Sequence, residues 1–280
     1  MTMAFQHQQT EIDLQRSHTQ NIEAVDRNLI LNGDCETQLD RLADQCIDVV
    51  VTSPPYNIGV RYGSYTDDLP RSDYLDWIYL IAGKIQRVMK YDASLFLNVG
   101  STNVDPWIAF DVANKLRDLF FLQNNITWIK SVSINEDTVG HFKPISSKRF
   151  LNNNLESVFH FTKTGSVPID RIGIGVPYKD KSNIARRGHS QDRRCAGNVW
   201  FLPYQTVHSK SQKFNHPAGF PEALPARCIA MHGGADLRVL DPFMGTGTTL
   251  IAAKNGGHSG IGIEIDPVYV ETALQRLGAD

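Results

Sequence analysis

Leu237-Arg238-Val239-Leu240-Asp241-Pro242-Phe243-Met244-Gly245-Thr246-Gly247-Thr248-Thr249 decides how the chain is organised. Leu237 to Asp241 is apolar enough for a buried strand, Pro242 to Thr249 reads as a tight turn, and a helix is expected over Leu250 to Lys254. A further strand, Gly260 to Ile263, ends at Glu264, and a closing helix starts near Pro267. Strand, glycine turn, helix and an acid at the next strand's end form the architecture that binds a nucleoside. The glycines let the backbone approach the ligand, and the acid accepts the ribose hydroxyls. A dinucleotide fingerprint would carry a third glycine at position 250, where leucine stands, so a pyrophosphate ligand is disfavoured.

Moving outward, Cys46-Ile47-Asp48-Val49-Val50-Val51 reads as a second buried strand ending at Thr52, and Ser53-Pro54-Pro55-Tyr56 follows at its carboxyl end. Two prolines fix φ, remove two N–H donors and extend Ser53, which leaves carbonyl acceptors beside an aromatic ring. Such a group can stack on a planar base while its acceptors take amino hydrogens. Alone, the stretch is equally a rigid strand exit with a packed tyrosine.

The remaining elements alternate. Asn28 to Asp34 reads as a short strand, followed by a helix carrying Leu39 and Leu42. A helix over Ser72 to Met89, capped by Ser72, turns Tyr74, Trp77, Ile78, Ile81, Ile85 and Val88 to one face. Strands are expected over Ser94 to Val99, Asn125 to Ile129 and Leu155 to Phe161, with helices over about Asp105 to Leu119 and Glu222 to Met231. Ser131 to Arg149 reads as loop. This pattern indicates an α/β domain with a mainly parallel sheet covered on both faces.

The 280 residues are 41% hydrophobic and 21% charged, ordinary for a globular protein, and the net charge is −2. The charge is uneven. Residues 163–213 hold ten Lys/Arg against three acids, or +7, and the remainder is 18 − 27 = −9. A basic, glycine-dotted segment on an acidic body suits one face that meets phosphates. The four cysteines form no CxxC pair and have no histidines at ligand spacing, so neither a metal site nor a disulfide framework is expected. No run suits a membrane span and residues 1–27 are too polar for a signal peptide, so an intracellular, DNA-associated protein is expected.

Asp241-Pro242-Phe243-Met244-Gly245-Thr246-Gly247-Thr248-Thr249 resembles the cofactor motif of the DNA amino-methyltransferases, and Ser53-Pro54-Pro55-Tyr56 fits their catalytic form (D/N/S)PP(Y/F). His216-Pro217 through Phe220-Pro221-Glu222 is similar to a third cofactor motif, and Asn32-Gly33-Asp34 to the acid on the cofactor's adenine side. Their order, catalytic motif before cofactor motif, resembles the circularly permuted β group. The resemblance implies a Rossmann-like, mostly parallel seven-stranded sheet in which the strands ending at Ser53 and Asp241 lie side by side. It also implies S-adenosylmethionine as donor and double-stranded DNA as partner. The cofactor would be held by Asp34, Thr52, His216, Pro217, Asp241, Pro242, Phe243, Gly245, Thr246, Gly247, Thr248 and Glu264, with no metal.

On this reading residues 28–162 are the catalytic half, 163–213 an inserted target-recognition region and 214–280 the cofactor half, after an N-terminal extension of residues 1–27. Ser53 Oγ and the Pro54 carbonyl would accept the two hydrogens of an exocyclic amine, with Tyr56 stacked on the flipped base. Arg186, Arg187, Arg193 and Arg194, then Lys148 and Arg149, are the candidate DNA contacts. Cytosine-C5 methylation needs a nucleophilic cysteine, normally after proline, whereas Asp34, Gln45, Arg194 and Arg227 precede the four here. Serine at the motif's first position favours N4 of cytosine over N6 of adenine by family association, and both stay open. A non-catalytic homologue, or a methylase of RNA or protein glutamine, is a weaker alternative; a homodimer and a cognate restriction endonuclease acting as functional partner are possible companions.

Overall fold

The computed structural model describes residues 28–59, 67–140, 145–186, 191–203 and 219–278. In chain order these form β1 (Leu29–Asn32), α1 (Cys35–Asp40), β2 (Ile47–Thr52), α2 (Arg71–Val88), β3 (Met89–Val99) and α3 (Ile108–Lys115). There follow β4 (Phe121–Ile129), β5 (Ser131–Ile134), β6 (Asp137–Gly140), β7 (Leu155–Thr162), α4 (Ser182–Arg186) and β8 (Val199–Phe201). The last part holds α5 (Ala223–His232), β9 (Arg238–Asp241), α6 (Thr248–Asn255), β10 (Ser259–Glu264) and α7 (Pro267–Leu277).

One sheet has the order β1-β10-β9-β2-β3-β7-β4-β8, and within it β7 alone runs against its neighbours. β2 pairs in parallel with β9 through Val49↔Val239 and Val50↔Leu240, so the two motif strands are neighbours as expected. From this seam the chain builds toward β10 and β1 on one side and toward β3 on the other. That divergence is the switch point at which α/β sheets open a crevice beyond their carboxyl ends.

Apolar clusters cover both faces. On one, α2 buries Tyr74, Ile78, Ile81, Ile85 and Val88 against the sheet, the stripe expected from its 3.6-residue period. On the other, Leu224, Cys228 and Ile229 of α5 pack with Val49, Val51 and Val239. Each such aliphatic side chain contributes roughly 1.5–3 kcal/mol on full burial.

Several expectations are corrected. The sheet has eight strands rather than seven, because Val199–Phe201 adds in parallel to β4 and buries Trp200. The basic segment therefore returns to the core near its end. Ser131 to Gly140 is a hairpin, turned at Asn135 with φ 57°, rather than loop. Ser72 does not cap α2: its hydroxyl bonds Asp73, and Pro70 holds the cap position without a side-chain bond. α3 starts only at Ile108, because Asp105 is held in a turn with Thr102 and by Arg71.

Trp200→Ala is expected to cost about 3–5 kcal/mol in urea denaturation, the range for removing a buried aromatic. A loss below about 1 kcal/mol would contradict the place of β8 in the core.

Candidate active site

A cavity opens over the carboxyl ends of β1, β2, β9 and β10 and is lined by Asp34, Ser53, Pro54, Pro55, Tyr56, Trp77, Phe243, Gly245, Thr246, Thr248, Glu264 and Tyr269, among others. Its floor is an anchored carboxylate. Asp241, 1% exposed, accepts from Thr52 Oγ1 at 2.6 Å, from Thr249 Oγ1 at 2.7 Å and from the Phe243 N–H at 3.1 Å. Burial raises its pKa to about 6 against the pull of those donors.

The glycine turn is held from two sides. Glu264 accepts from the Gly245 N–H at 2.9 Å and the Asp266 N–H at 2.8 Å, and burial raises its pKa as well. Arg276 of α7 donates to the Thr246 carbonyl at 2.6 Å and to the Thr248 hydroxyl at 3.2 Å. At Gly247 φ is 81°, and a Cβ there would meet Ala273 Cβ at 3.0 Å, so glycine is required for the turn and for the approach of α7.

The Ser-Pro-Pro-Tyr loop is clamped below and beyond. Tyr74 Oη donates to the Pro55 carbonyl at 2.7 Å, and the buried Asp67 carboxylate accepts from the Asn57 and Ile58 N–H groups at 2.7 and 3.1 Å. Tyr56 turns its hydroxyl inward. Its Oη lies 2.5 Å from Ser53 Oγ, 2.7 Å from Asn98 Nδ2 and 3.1 Å from Glu156 Oε2. Gly100 leaves room for this arrangement, since a Cβ there would meet Tyr56 Cε2 at 2.8 Å and Glu156 Cδ at 3.1 Å.

With that geometry the chain can be compared with known proteins. Residues 47–275 match the family described as DNA methylase, of the N6/N4 type. The chain belongs to the N6/N4 DNA methylase family. This methylase is 29% identical over 266 residues to the Type II methyltransferase M.BglII of Bacillus subtilis, covering 90% of this chain and 69% of that one. It is 28% identical over 256 residues to the DNA adenine methyltransferase YhdJ of Escherichia coli K12, covering 89% and 82%. Its fold matches the cytosine-N4-specific PvuII DNA methyltransferase at a TM-score of 0.69, with 22% identity and coverage of 89% and 86%. It also matches the DNA modification methylase TTHA0409 of Thermus thermophilus, solved in complex with S-adenosyl-L-methionine, at 0.61, with 23% identity and coverage of 90% and 93%.

Most of the residues chosen from sequence converge on the cavity, with two corrections. Thr52 is fully buried and spends its hydroxyl on Asp241, and Gly247 packs against α7; neither lines the cavity. Asp34 lines it while its Oδ1 caps α1 through the Glu36 N–H at 2.8 Å. His216 and Pro217 lie outside the described residues, although Gly219 and Phe220 just beyond them reach the cavity.

Sequence reasoning missed Trp77, whose ring lies 5.6 Å from that of Phe243, because its helical spacing reads as core. It also missed Asn98, Glu156 and Lys130, which look like ordinary strand polar residues. Cys35 lines the cavity, but burial and the neighbouring Asp34 push its thiol up to about 12, so it stays protonated and unsuited to nucleophilic attack.

The candidate DNA contacts do not form one cluster. Lys148, Arg149 and Arg186 are exposed, and the Arg149 guanidinium lies 4.7 Å from the centre of the Phe150 ring. Arg193 donates to the Gly173 and Gly175 carbonyls at 2.9 and 3.4 Å, and the Arg194 backbone pairs with Val176, so both brace the segment they belong to. Arg187 lies outside the described residues.

Because folding raises the Asp241 pKa from 3.8 to about 6, this group's contribution to stability is present below 3.8 and lost as pH rises through about 6. Buried His160 has the opposite sign: its pKa is lowered to about 4 from 6.5, so its contribution falls as pH falls below 6.5. Asp241→Asn removes the first term. Urea midpoints at pH 5 and pH 7 should then rise more steeply with pH than in the parent, and an unchanged slope would refute the perturbed carboxyl.

Proposed function

We propose that this DNA methyltransferase transfers a methyl group to the N4 amine of a cytosine flipped out of duplex DNA at a defined sequence. The observation that carries this reading is the parallel pairing of β2 with β9, which sets Ser53-Pro54-Pro55-Tyr56 and the glycine turn on one cavity. The donor is S-adenosylmethionine, and the cavity suits it. Glu264 has used two of its roughly four lone-pair sites on backbone N–H groups and keeps acceptors for ribose hydroxyls. Phe243 and Trp77 offer apolar surface for the adenine ring, and Asp34 stands on the same wall. When bound, the donor supplies an electrophilic methyl group on a sulfonium.

The protein's own work is orientation and charge stabilisation. The amine's lone pair is delocalised into the base ring, so Ser53 Oγ and the Pro54 carbonyl take its two hydrogens and turn the lone pair toward the methyl group. The same acceptors stabilise the positive charge that grows on nitrogen. The Tyr56 ring, fixed by its hydroxyl, is the stacking platform. Exposed Lys148, Arg149 and Arg186 meet phosphates, with residues 163–213 as the target-recognition segment between the catalytic and cofactor halves.

N6 of adenine is the second reading, supported by the adenine-methylating relative in E. coli. Ser53 supports cytosine, by family association. Incubation of defined duplexes with a labelled donor, followed by nucleoside mass spectrometry, should yield N4-methylcytosine; N6-methyladenine would establish the second reading, and no modified base would refute both. Ser53→Ala and Tyr56→Ala should each lose methylation by at least about a hundredfold while folding normally.

A further inference from the structure

The hydroxyl of Ser53 can donate or accept, and only an accepting oxygen can take an amine hydrogen. The groups around Tyr56 decide which it is. Asn98, 3% exposed, directs Nδ2 at Tyr56 Oη at 2.7 Å and at Glu156 Oε2 at 2.7 Å. Its Oδ1 is buried and has no hydrogen-bond partner among the described residues. Turning the amide over would give that oxygen no donor either, since it would then face a carboxylate. The carboxylate fixes the orientation.

Glu156 is held in turn by Lys130, whose Nζ lies 2.9 Å from Oε1, with both side chains mostly buried. An ionised carboxylate only accepts, so the hydrogen between Tyr56 Oη and Glu156 Oε2, 3.1 Å apart, comes from the tyrosine. Tyr56 has then used its one proton, and the short 2.5 Å contact with Ser53 is filled by the serine's proton. Donation runs from Ser53 to Tyr56 to Glu156. The remaining lone pairs of Ser53 Oγ are left as acceptors.

We propose that Glu156, braced by Lys130 and read out through Asn98 and Tyr56, is a positioning residue that locks Ser53 Oγ as the acceptor of the target amine's hydrogen. This rests on the methyltransferase reading above and assigns three residues outside the Ser-Pro-Pro-Tyr motif to it. The carboxylate acts at one remove, through two hydroxyls, on a group that touches substrate. Its removal should therefore slow the chemical step and leave ligand affinities in place.

The test is a double-mutant cycle in single-turnover methylation of a cognate duplex by the full chain. Glu156→Gln replaces the obligate acceptor with an amide that can also donate, and Tyr56→Phe keeps the ring but removes the connecting hydroxyl. Each should slow methyl transfer by roughly tenfold to a hundredfold, with dissociation constants for S-adenosylmethionine and duplex within about twofold of the parent. Because both break one chain, the double variant should be no slower than the slower single one. Should Glu156→Gln melt early, Lys130→Met, which removes only the brace, must slow the same step without weakening either ligand.

Multiplying factors, or full rates in the folded variants beside an inactive Ser53→Ala, would overturn the relay and leave the methyltransferase reading standing. A fully active Ser53→Ala would overturn both.

Discussion

Everything in this methylase depends on a carboxylate placed where water cannot reach it. Asp241 ends β9 inside the sheet's edge, and a buried carboxylate is tolerated only if its oxygens are answered by donors. Thr52 answers from the end of β2 and Thr249 from the first turn of α6, so one side chain ties the catalytic strand, the cofactor strand and the helix of the glycine turn together. The bond between Thr52 and Asp241 spans 189 residues of chain and fixes two motif strands that backbone pairing joins only through Val49 and Val50. The raised carboxyl pKa is the signature of that placement.

A second layer of buried acids holds the catalytic loop. Asp67 collects the N–H groups of Asn57 and Ile58, while Glu156 collects Tyr56, Asn98 and Lys130. The prolines deprive the loop of its own N–H donors, so its geometry is imposed from outside by side chains on other strands. This gives rigidity where an amine must be held in one orientation. Below the site, a separate buried chain links Asn124, His160, Ser94 and His232, with His160 kept neutral by burial and stacked 4.5 Å from Phe96. It sits within the packing of β3, β4, β7 and α5 and belongs to the scaffold.

Much of this was legible in the residues. The helical period of Tyr74, Ile78, Ile81, Ile85 and Val88 gave the buried face of α2, because periodicity reports which side of a helix meets apolar neighbours. Val199 to Phe201 was not legible as a strand, since three residues carry no periodicity and their burial depends on a free sheet edge at β4. Ser72 looks like a cap by type, yet the backbone begins its turn one residue earlier, at Arg71. Thr52 and Gly247 were correctly singled out as part of the motifs but assigned to the ligand. Their side-chain space is taken by Asp241 and Ala273, and sequence spacing does not report what lies across from a residue.

The sequence by itself determined the chemistry on offer: two strand ends, one carrying Ser53-Pro54-Pro55-Tyr56 and one carrying a glycine turn with an acid to follow, with the alternation that makes a parallel sheet. Local residue types and periods suffice for that, because backbone restrictions and burial patterns act over a few residues. Only the tertiary structure decided that Thr52 serves Asp241, that Trp77 faces the cavity and that Asn98, Glu156 and Lys130 stand behind Tyr56. The hydrogen bonds concerned join residues between 26 and 189 positions apart, and they arise from strand order and register. Hydrogen-bond direction is a property of the assembled group, in which each donor's role is set by its neighbour's lack of protons.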